Sequence, residues 1–538
     1  SNLTTEEKVS NLVVEGSKKD LIVYLDELLQ KYSPIDIING PLMTGMDEVG
    51  RLFNNNDLIV AEVLQSAEVM KASVSHLEQF MEKDESSVKG KVIMATVKGD
   101  VHDIGKNLVG IIIGNNGYEV IDLGINTPAE KIREAIIEHK ADFLGLSGLL
   151  VKSATEMVNT MGVLHEAGID IPIFVGGAAL TEKFTVNKIE PAYKNNIVIY
   201  SRDAMTALAD LNKMIDEKKF EEFKEYLQKR RELVTIKDAK KLEQLKVKPT
   251  VSDIKDADGT FDFSKVELPK YDFEKIYKPQ TLNKQIITNI KAKDVFPFIN
   301  LQMLIGKHLG MKWIVNNLIE KQDPRTIKLY NEILDIIENG DEYFDIKAIY
   351  KFFPVRRKAG ERKEDFKIEV LSDDLSTVLE TFDFPRQKYG QYLSLNDYVT
   401  PDGIDYIGFF VATAGEKSRL VSNELKEKGE FYRGHIVNSV GLELAEATSE
   451  YIHKMMRQDV GIIDKDISLN EILNAQYQGN RYSFGYPACP DLSDQRKLFN
   501  LLKPERYGIS LTEEFMMYPE ATVSAIVFSQ PFCKYFNM

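Results

Sequence analysis

Cysteine is nearly missing from this chain: its 538 residues hold two, Cys489 and Cys533, far apart and in no Cys-x-x-Cys pair. That excludes a disulfide framework, argues against zinc or iron–sulfur ligation, and suits a reducing cytoplasm. The seven histidines are scattered, with no His-Glu-x-x-His or other paired-His spacing. A metal centre built from several protein ligands is therefore not expected. A metal could still arrive in a macrocycle and take a single protein ligand. Surplus positive charge is missing too. Lys and Arg number 68 against 83 Asp and Glu, a formal net charge of −15, which argues against nucleic acid as a partner. No apolar run is long enough to span a bilayer and no signal peptide opens the chain, so the expected setting is cytoplasmic, without a membrane partner.

What is there is ordinary globular material, 43% hydrophobic and 28% charged, and too long for one core. From Thr4 to Lys83, apolar residues recur at helical spacing, as in Leu21, Leu25, Leu28 and again in Val60, Val63, Leu64, Ala67. With Pro34, Gly40-Pro41 and Asn54–Asp57 as punctuation, this predicts an all-α bundle. Phe53, Ile59, Val60 and Val63 cluster beside its polar turn and read as bundle core on spacing alone.

Residues 90–220 alternate strand and helix patterns. Strands are expected at Val92–Val97, Glu119–Leu123, Phe143–Leu146, Ile173–Val175 and Ile197–Tyr200. Helices are expected at Lys106–Asn115, Pro128–His139, Ala154–Ala167 and Ala204–Lys219. Five strands in that rhythm predict an α/β, doubly wound, flavodoxin-like parallel sheet. Its first loop, Lys98 to Asn107, holds Asp100-x-His102-x-x-Gly105. A carboxylate that takes one imidazole nitrogen fixes the tautomer and leaves the other nitrogen to ligate a metal. Gly105 removes a side chain where a bulky ligand could approach. The later loops, Ser147–Ser153, Gly176–Ala179 and Tyr200–Ala204, are rich in small residues and should open on the same sheet edge.

Residues 221–271 are rich in Lys and Glu and read as a helix continuing into a linker. From residue 272 to 538 the pattern segregates strands from helices, which predicts an α+β domain with an antiparallel sheet. Helices are expected at Asp294–Gly306, Arg325–Gly340 and Val440–Gln458, and strands at Ile346–Phe352, Phe366–Val370 and Tyr406–Ala412. The prolines of Arg481–Pro490 predict a mostly extended loop.

Asp100-x-His102-x-x-Gly105, Ser147-x-Leu149 and Gly176-Gly177 together resemble the cobalamin-binding module of methyltransferases and mutases. With Asn39-Gly40-Pro41-Leu42-Met43 upstream and Arg481-x-x-x-Gly485-Tyr486-Pro487-Ala488-Cys489-Pro490 downstream, the chain is similar to the cobalamin-dependent methionine synthase family over about Leu21 to Met538. The resemblance implies a helical cap (4–83), a cobalamin domain (90–220), a linker (221–271) and an activation domain that binds S-adenosylmethionine (272–538). By the same resemblance His102 is the lower axial ligand to the cobalt of methylcobalamin, with Asp100 and then Ser153 as a hydrogen-bonded relay behind it. Gly99, Val101, Asp103 and Gly105 share that loop. Ser147, Val151, Gly176, Gly177 and Ala204 line the slot for the nucleotide tail, Val151 and Asn39 standing where relatives often carry Thr and Glu. Phe53, Ile59, Val60 and Val63 shield the cobalt–methyl bond.

In the activation domain, the resemblance assigns S-adenosylmethionine to Asp294, Glu446, Arg481, Gly485, Tyr486, Ala488, Tyr535 and Phe536. Carboxylates suit its sulfonium and amino groups, and Arg481 suits its carboxylate. The implied activity is methyl transfer from methyltetrahydrofolate to homocysteine by way of cob(I)alamin. S-adenosylmethionine and a flavodoxin-like or other reductase restore oxidised cofactor. The homocysteine domain, which carries zinc in this family, and the folate domain would precede Thr4 and do not occur in this sequence. The chain is accordingly expected to be a C-terminal portion or a natural split subunit. The alternative is a corrinoid methyl carrier serving another methyltransferase.

Overall fold

A computed structural model describes the chain except residues 1–2, 82–87, 150, 179, 247–260, 361–365 and 465–466. It divides into two compact units. One comprises 1–242, 301–331 and 419–439; the other comprises 243–300, 332–418 and 440–538.

The first unit begins with helices α1 (Thr5–Glu15), α2 (Leu21–Leu29), α3 (Pro34–Ile37), α4 (Met43–Asn54) and α5 (Val60–Leu77). Their ends follow local chemistry. Thr4 and Glu7 form a reciprocal capping box on α1, Gly16 ends it with φ +63°, and Ser33 caps α3, whose first residue is Pro34. The inward stripe of Val9, Val13, Leu21, Leu25, Leu28, Val49 and Met70 is buried.

The sheet follows: β1 (Lys91–Thr96), α6 (Ile104–Gly114), β2 (Glu119–Asp122), α7 (Ala129–His139), β3 (Phe143–Ser147), α8 (Val151–Glu166), β4 (Ile173–Gly176), the short α9 (Glu182–Phe184), β5 (Val198–Tyr200) and α10 (Ala204–Met214). All strands are parallel, in the order β2-β1-β3-β4-β5. This is the expected doubly wound, flavodoxin-like arrangement. Its period-2 alternation sorts β1 cleanly: Val92 and Met94 join the core that includes Ile112, Leu208 and Leu211, while Ile93 and Ala95 join Ile132, Met157 and Leu164 on the other face. The helix expected to run from Ala204 to Lys219 stops at Met214, and a second one, α11 (Glu217–Lys246), takes over. The sole tryptophan of the sequence, Trp313, sits in this unit at φ +86° with 82% of its surface exposed.

The remaining elements are β6 (Gln285–Ile290), α12 (Ala292–Val295), α13 (Val315–Glu320), α14 (Pro324–Glu338), α15 (Gly340–Tyr343), β7 (Ile346–Ala359), β8 (Phe366–Leu371), β9 (Val378–Phe382), β10 (Asp405–Thr413), α16 (Lys417–Glu427), α17 (Phe431–Asp459), α18 (Leu469–Leu473), β11 (Asn480–Tyr482), α19 (Gln495–Leu502), β12 (Ser510–Leu511), β13 (Met517–Tyr518) and β14 (Thr522–Phe528). In the second unit an antiparallel sheet runs β11-β14-β10-β7-β8-β9, with β6 also on β7. Its core gathers Phe353, Phe382, Tyr398, Phe409, Phe499 and Phe528. The expected α+β architecture is what the chain adopts.

Three further expectations are corrected. No single helix spans Asp294–Gly306: α12 stops at Val295, Pro297 sits in a 3₁₀ turn at Phe296–Phe298, and helix of wider pitch resumes at Gln302–His308. A proline removes a backbone donor and clashes with the preceding turn. Helix α17 begins at Phe431, nine residues before the expected start, because tertiary packing overrides the low helix propensity of Gly434. Beyond β11 the segment to Pro490 is folded rather than extended. Gly485, at φ +88°, donates to the Cys489 carbonyl (2.9 Å), and Cys489 donates back to Tyr486 (3.0 Å).

Candidate functional site

The strand order places a switch point between β1 and β3, whose chains leave the sheet in opposite directions; open α/β sheets bind ligands at such crevices. His102 lies in the loop after β1 and Ser153 in the first turn of the helix after β3. Asp100 ties them together. Its Oδ1 is 2.6 Å from His102 Nδ1 and accepts from the His102 backbone N–H at 2.9 Å. Its Oδ2 accepts from Ser153 Oγ at 2.5 Å and from Leu149 N–H at 2.7 Å. Asp100 is fully buried. Burial works to raise its pKa, but His102, Ser153 and their hydrogen bonds outweigh that and hold the carboxyl below its ordinary value. An ionised carboxylate only accepts, so Nδ1 carries the proton and Nε2, across the ring, is the basic nitrogen.

The floor beside this pair has room only for small residues. A Cβ on Gly177 (φ +141°) would fall 1.7 Å from the Gly148 carbonyl oxygen, and one on Gly148 would fall 2.6 Å from Ser153 Cβ. A Cβ on Gly105, in contrast, would meet nothing within 4 Å. Ser147 ends β3 in register with Thr96 and Gly176. Gly99, at φ +80°, donates to Asn126 Oδ1 (2.7 Å). Val101 and Asp103 are buried, and Ala204 opens α10 behind the Asp203 cap. Two buried oxygens near these loops, Asp103 Oδ1 and Ser201 Oγ, have no hydrogen-bond partner among the described residues. The side chain of Val151 lies outside the described residues. An imidazole with a fixed tautomer, open space over Gly105 and unsatisfied polar atoms suit a large polar ligand that brings its own metal.

Of the residues assigned to the cap face, Ile59 and Val63 are buried in the first unit. Phe53 packs partly against the bundle core. Val60 lies against Gly310, where a Cβ would come within 2.8 Å of the Val60 backbone nitrogen. Asn39 is exposed in the bend at Gly40.

The second constellation lies in the second unit. Arg481, on β11, pairs through Nη1 with Glu450 Oε1 at 2.7 Å and donates to the Tyr477 hydroxyl at 3.2 Å. Burial opposes its charge, but Glu450 and the tyrosines more than compensate, and the guanidinium is held firmly ionised. Glu446, one helical turn before Glu450, is exposed by area yet crowded by surrounding protein. Burial raises its pKa, and Glu443 and Glu450 add to this against the pull of Arg481. Tyr486 presents much of its surface to solvent, yet surrounding protein and then the Glu446 charge both raise its pKa. Tyr535 stands edge-on to Tyr482, with ring centroids 5.3 Å apart. Ala488 is buried beside Cys489, whose thiol burial pushes up to about 12. Phe536 packs against the sheet core. Asp294 caps α12 by accepting from Lys291 N–H at 3.2 Å.

Sequence reasoning missed Glu450 and Tyr477. The available signal was spacing: Glu450 is four residues after Glu446, and Tyr477 four before Arg481.

Three known families match successive stretches of the chain. A B12 binding domain family matches residues 5–78, another B12 binding domain family matches 90–209, and the vitamin B12 dependent methionine synthase activation domain matches 287–538. Methionine synthase of Mycobacterium tuberculosis is 32% identical over 559 residues, covering 99% of this chain and 46% of that protein. The Mycobacterium leprae enzyme is 31% identical over 573 residues, with the same coverage. The chain thus spans about half the length of the curated relatives it matches. A solved MetH reactivation domain bound to AdoHcy aligns at TM-score 0.44 and 23% identity, over 53% of this chain and 87% of that one. In the content and order of its domains, the chain is similar to the B12-binding and activation half of vitamin B12-dependent methionine synthase.

Proposed function

We propose that the first unit carries cobalamin, whose cobalt His102 Nε2 would hold, and that the second unit binds S-adenosylmethionine as methyl donor for reactivating it. The observation that carries this is the Asp100 bridge, which joins a β1-loop histidine to a β3-side serine at the switch point of the sheet. Cobalamin, when bound, supplies a cobalt that accepts and gives up a methyl group. The protein's part is to hold the ligand. Asp100 fixes the His102 ring and keeps a proton at Nδ1, Ser153 and Leu149 fix Asp100, Gly148 and Gly177 let the loops behind them pack closely, and Gly105 leaves room for the cofactor. Asp100, shared by His102 and Ser153, would hold or move a proton at His102 Nδ1 along this hydrogen-bonded chain. In the second unit, Arg481 suits the ligand carboxylate, and Glu446 suits its cationic amino and sulfonium groups.

The activity of the whole enzyme, methyl transfer from methyltetrahydrofolate to homocysteine, belongs to the same proposal. It requires homocysteine- and folate-binding domains in cis or in trans and a flavodoxin-like or other reductase as electron donor. A cytoplasmic setting suits the two free cysteines. Among the described residues, no helix is long and apolar enough to cross a membrane.

The test is the visible spectrum of the chain with methylcobalamin, for wild type and His102→Ala, followed by S-adenosylmethionine plus reductant. We expect a base-on spectrum that His102→Ala abolishes, and reductant-dependent remethylation. Cobalamin binding without remethylation would leave a corrinoid methyl carrier, and no cobalamin binding would overturn the reading.

A further inference from the structure

Behind Arg481 stands a group of side chains that this reading does not use. Glu450, His453 and Arg457 lie at helical spacing on α17 and are buried. Tyr477 packs against them. The Arg457 guanidinium carbon sits 3.9 Å from the Tyr477 ring centroid, and His453 meets the same ring nearly edge-on at 5.3 Å. Arg457 is itself anchored by Asp464 (Nε to Oδ1, 3.3 Å). The clamped ring delivers its hydroxyl to two partners, donating to Glu450 Oε2 at 3.2 Å and accepting from Arg481 Nη1 at 3.2 Å. Glu450 Oε1 holds that same Nη1. Every described polar side-chain contact of Arg481 therefore runs through one nitrogen, on one edge of a planar fork. The opposite edge is left for a bidentate partner.

We infer that Tyr477 is a positioning residue for Arg481: clamped between Arg457 and His453, it turns the guanidinium so that its outer edge faces the carboxylate of an amino-acid ligand. His453 contributes shape rather than charge. It is wholly buried, neither ring nitrogen has a hydrogen-bond partner among the described residues, and burial with two arginines nearby keeps it neutral. A neutral ring beside Arg457 and Arg481 adds no third positive charge. The inference rests on the proposal that Arg481 receives the carboxylate of S-adenosylmethionine.

The experiment is isothermal titration calorimetry on the full chain with two ligands, S-adenosylmethionine and decarboxylated S-adenosylmethionine, which keeps the nucleoside, sulfonium and amine but lacks the carboxylate. Tyr477→Phe keeps the clamped ring and removes only the hydroxyl. It should weaken S-adenosylmethionine about tenfold, the scale of one hydrogen bond to a charged group, and leave the decarboxylated ligand unchanged. Equal losses for both ligands, or none for either, overturn the inference. Arg481→Lys, which keeps the charge beside Glu450 but removes the fork, tests the underlying reading separately. If it leaves S-adenosylmethionine affinity intact, the carboxylate assignment fails. If it weakens binding while Tyr477→Phe does not, the assignment stands and the role of Tyr477 fails.

Discussion

Asp100 and Glu446 are carboxylates at the centres of two sites, and their surroundings treat them oppositely. Asp100 accepts four hydrogen bonds from protein donors and is held below its ordinary pKa. Glu446 sits among two further glutamates and is pushed above its own. The first is complete without a ligand, because its work is to hold another protein group, His102. The second lacks such donors among the described residues, which fits its proposed role of receiving a cation from a ligand. Internal satisfaction marks a group that positions; internal deficit marks one that binds.

That contrast can be broken most forcefully at Asp100. Asp100→Ala strands Ser153, Leu149 N–H and the His102 ring together, and should cost about 3 kcal/mol of the stability of the first unit in urea unfolding. A loss below about 1 kcal/mol would mean the bridge is not structural. Next comes a pair of glycines. Gly177→Ala forces a Cβ into the Gly148 carbonyl at a positive φ and should destabilise by about 2 kcal/mol. Gly105→Ala meets open space and should leave unfolding within about 0.5 kcal/mol of wild type while weakening cobalamin in a binding titration. Similar stabilities for the two would show that the floor is not as tightly built as its geometry states.

The carboxylates also differ in sign with pH. Stability contributed by Asp100, whose folded pKa is lowered, is present above its ordinary value of 3.8 and fades as pH falls through the folded pKa. Glu446, whose folded pKa is raised, works the other way: its ionisation removes stability as pH rises above 4.5. Glu446→Gln should therefore raise the thermal midpoint of the second unit slightly at pH 7 and leave it unchanged at pH 4, while weakening S-adenosylmethionine about tenfold. A lower midpoint at pH 7 would invert the comparison.

The two sites were unequally legible in the sequence. Asp100 and His102 are two residues apart after an apolar β-branched run, so their pairing and sheet edge follow from local pattern. Ser153, 53 residues from its partner, came only with the family resemblance, since no spacing rule joins the loops of two different strands. On α17, Glu443, Glu446, Glu450, His453 and Arg457 recur at helical spacing as a polar stripe, with all but Glu446 buried. A search for apolar faces reads such a stripe as solvated surface, which hid Glu450 and the clamp on Tyr477. The break at Pro297 was visible as a residue and missed because helical spacing continues on either side of it.

Trp313 has a practical bearing on these measurements. A sole indole that is already hydrated in the folded chain changes its surroundings little on denaturation, and it lies in neither constellation. Intrinsic tryptophan emission will therefore be nearly silent on both, and the 23 tyrosines, Tyr398 and Tyr482 of the second unit being buried among them, are the better optical reporters. Substituting a buried aromatic in each unit with tryptophan, in a Trp313→Phe background, would let the two transitions be followed one at a time.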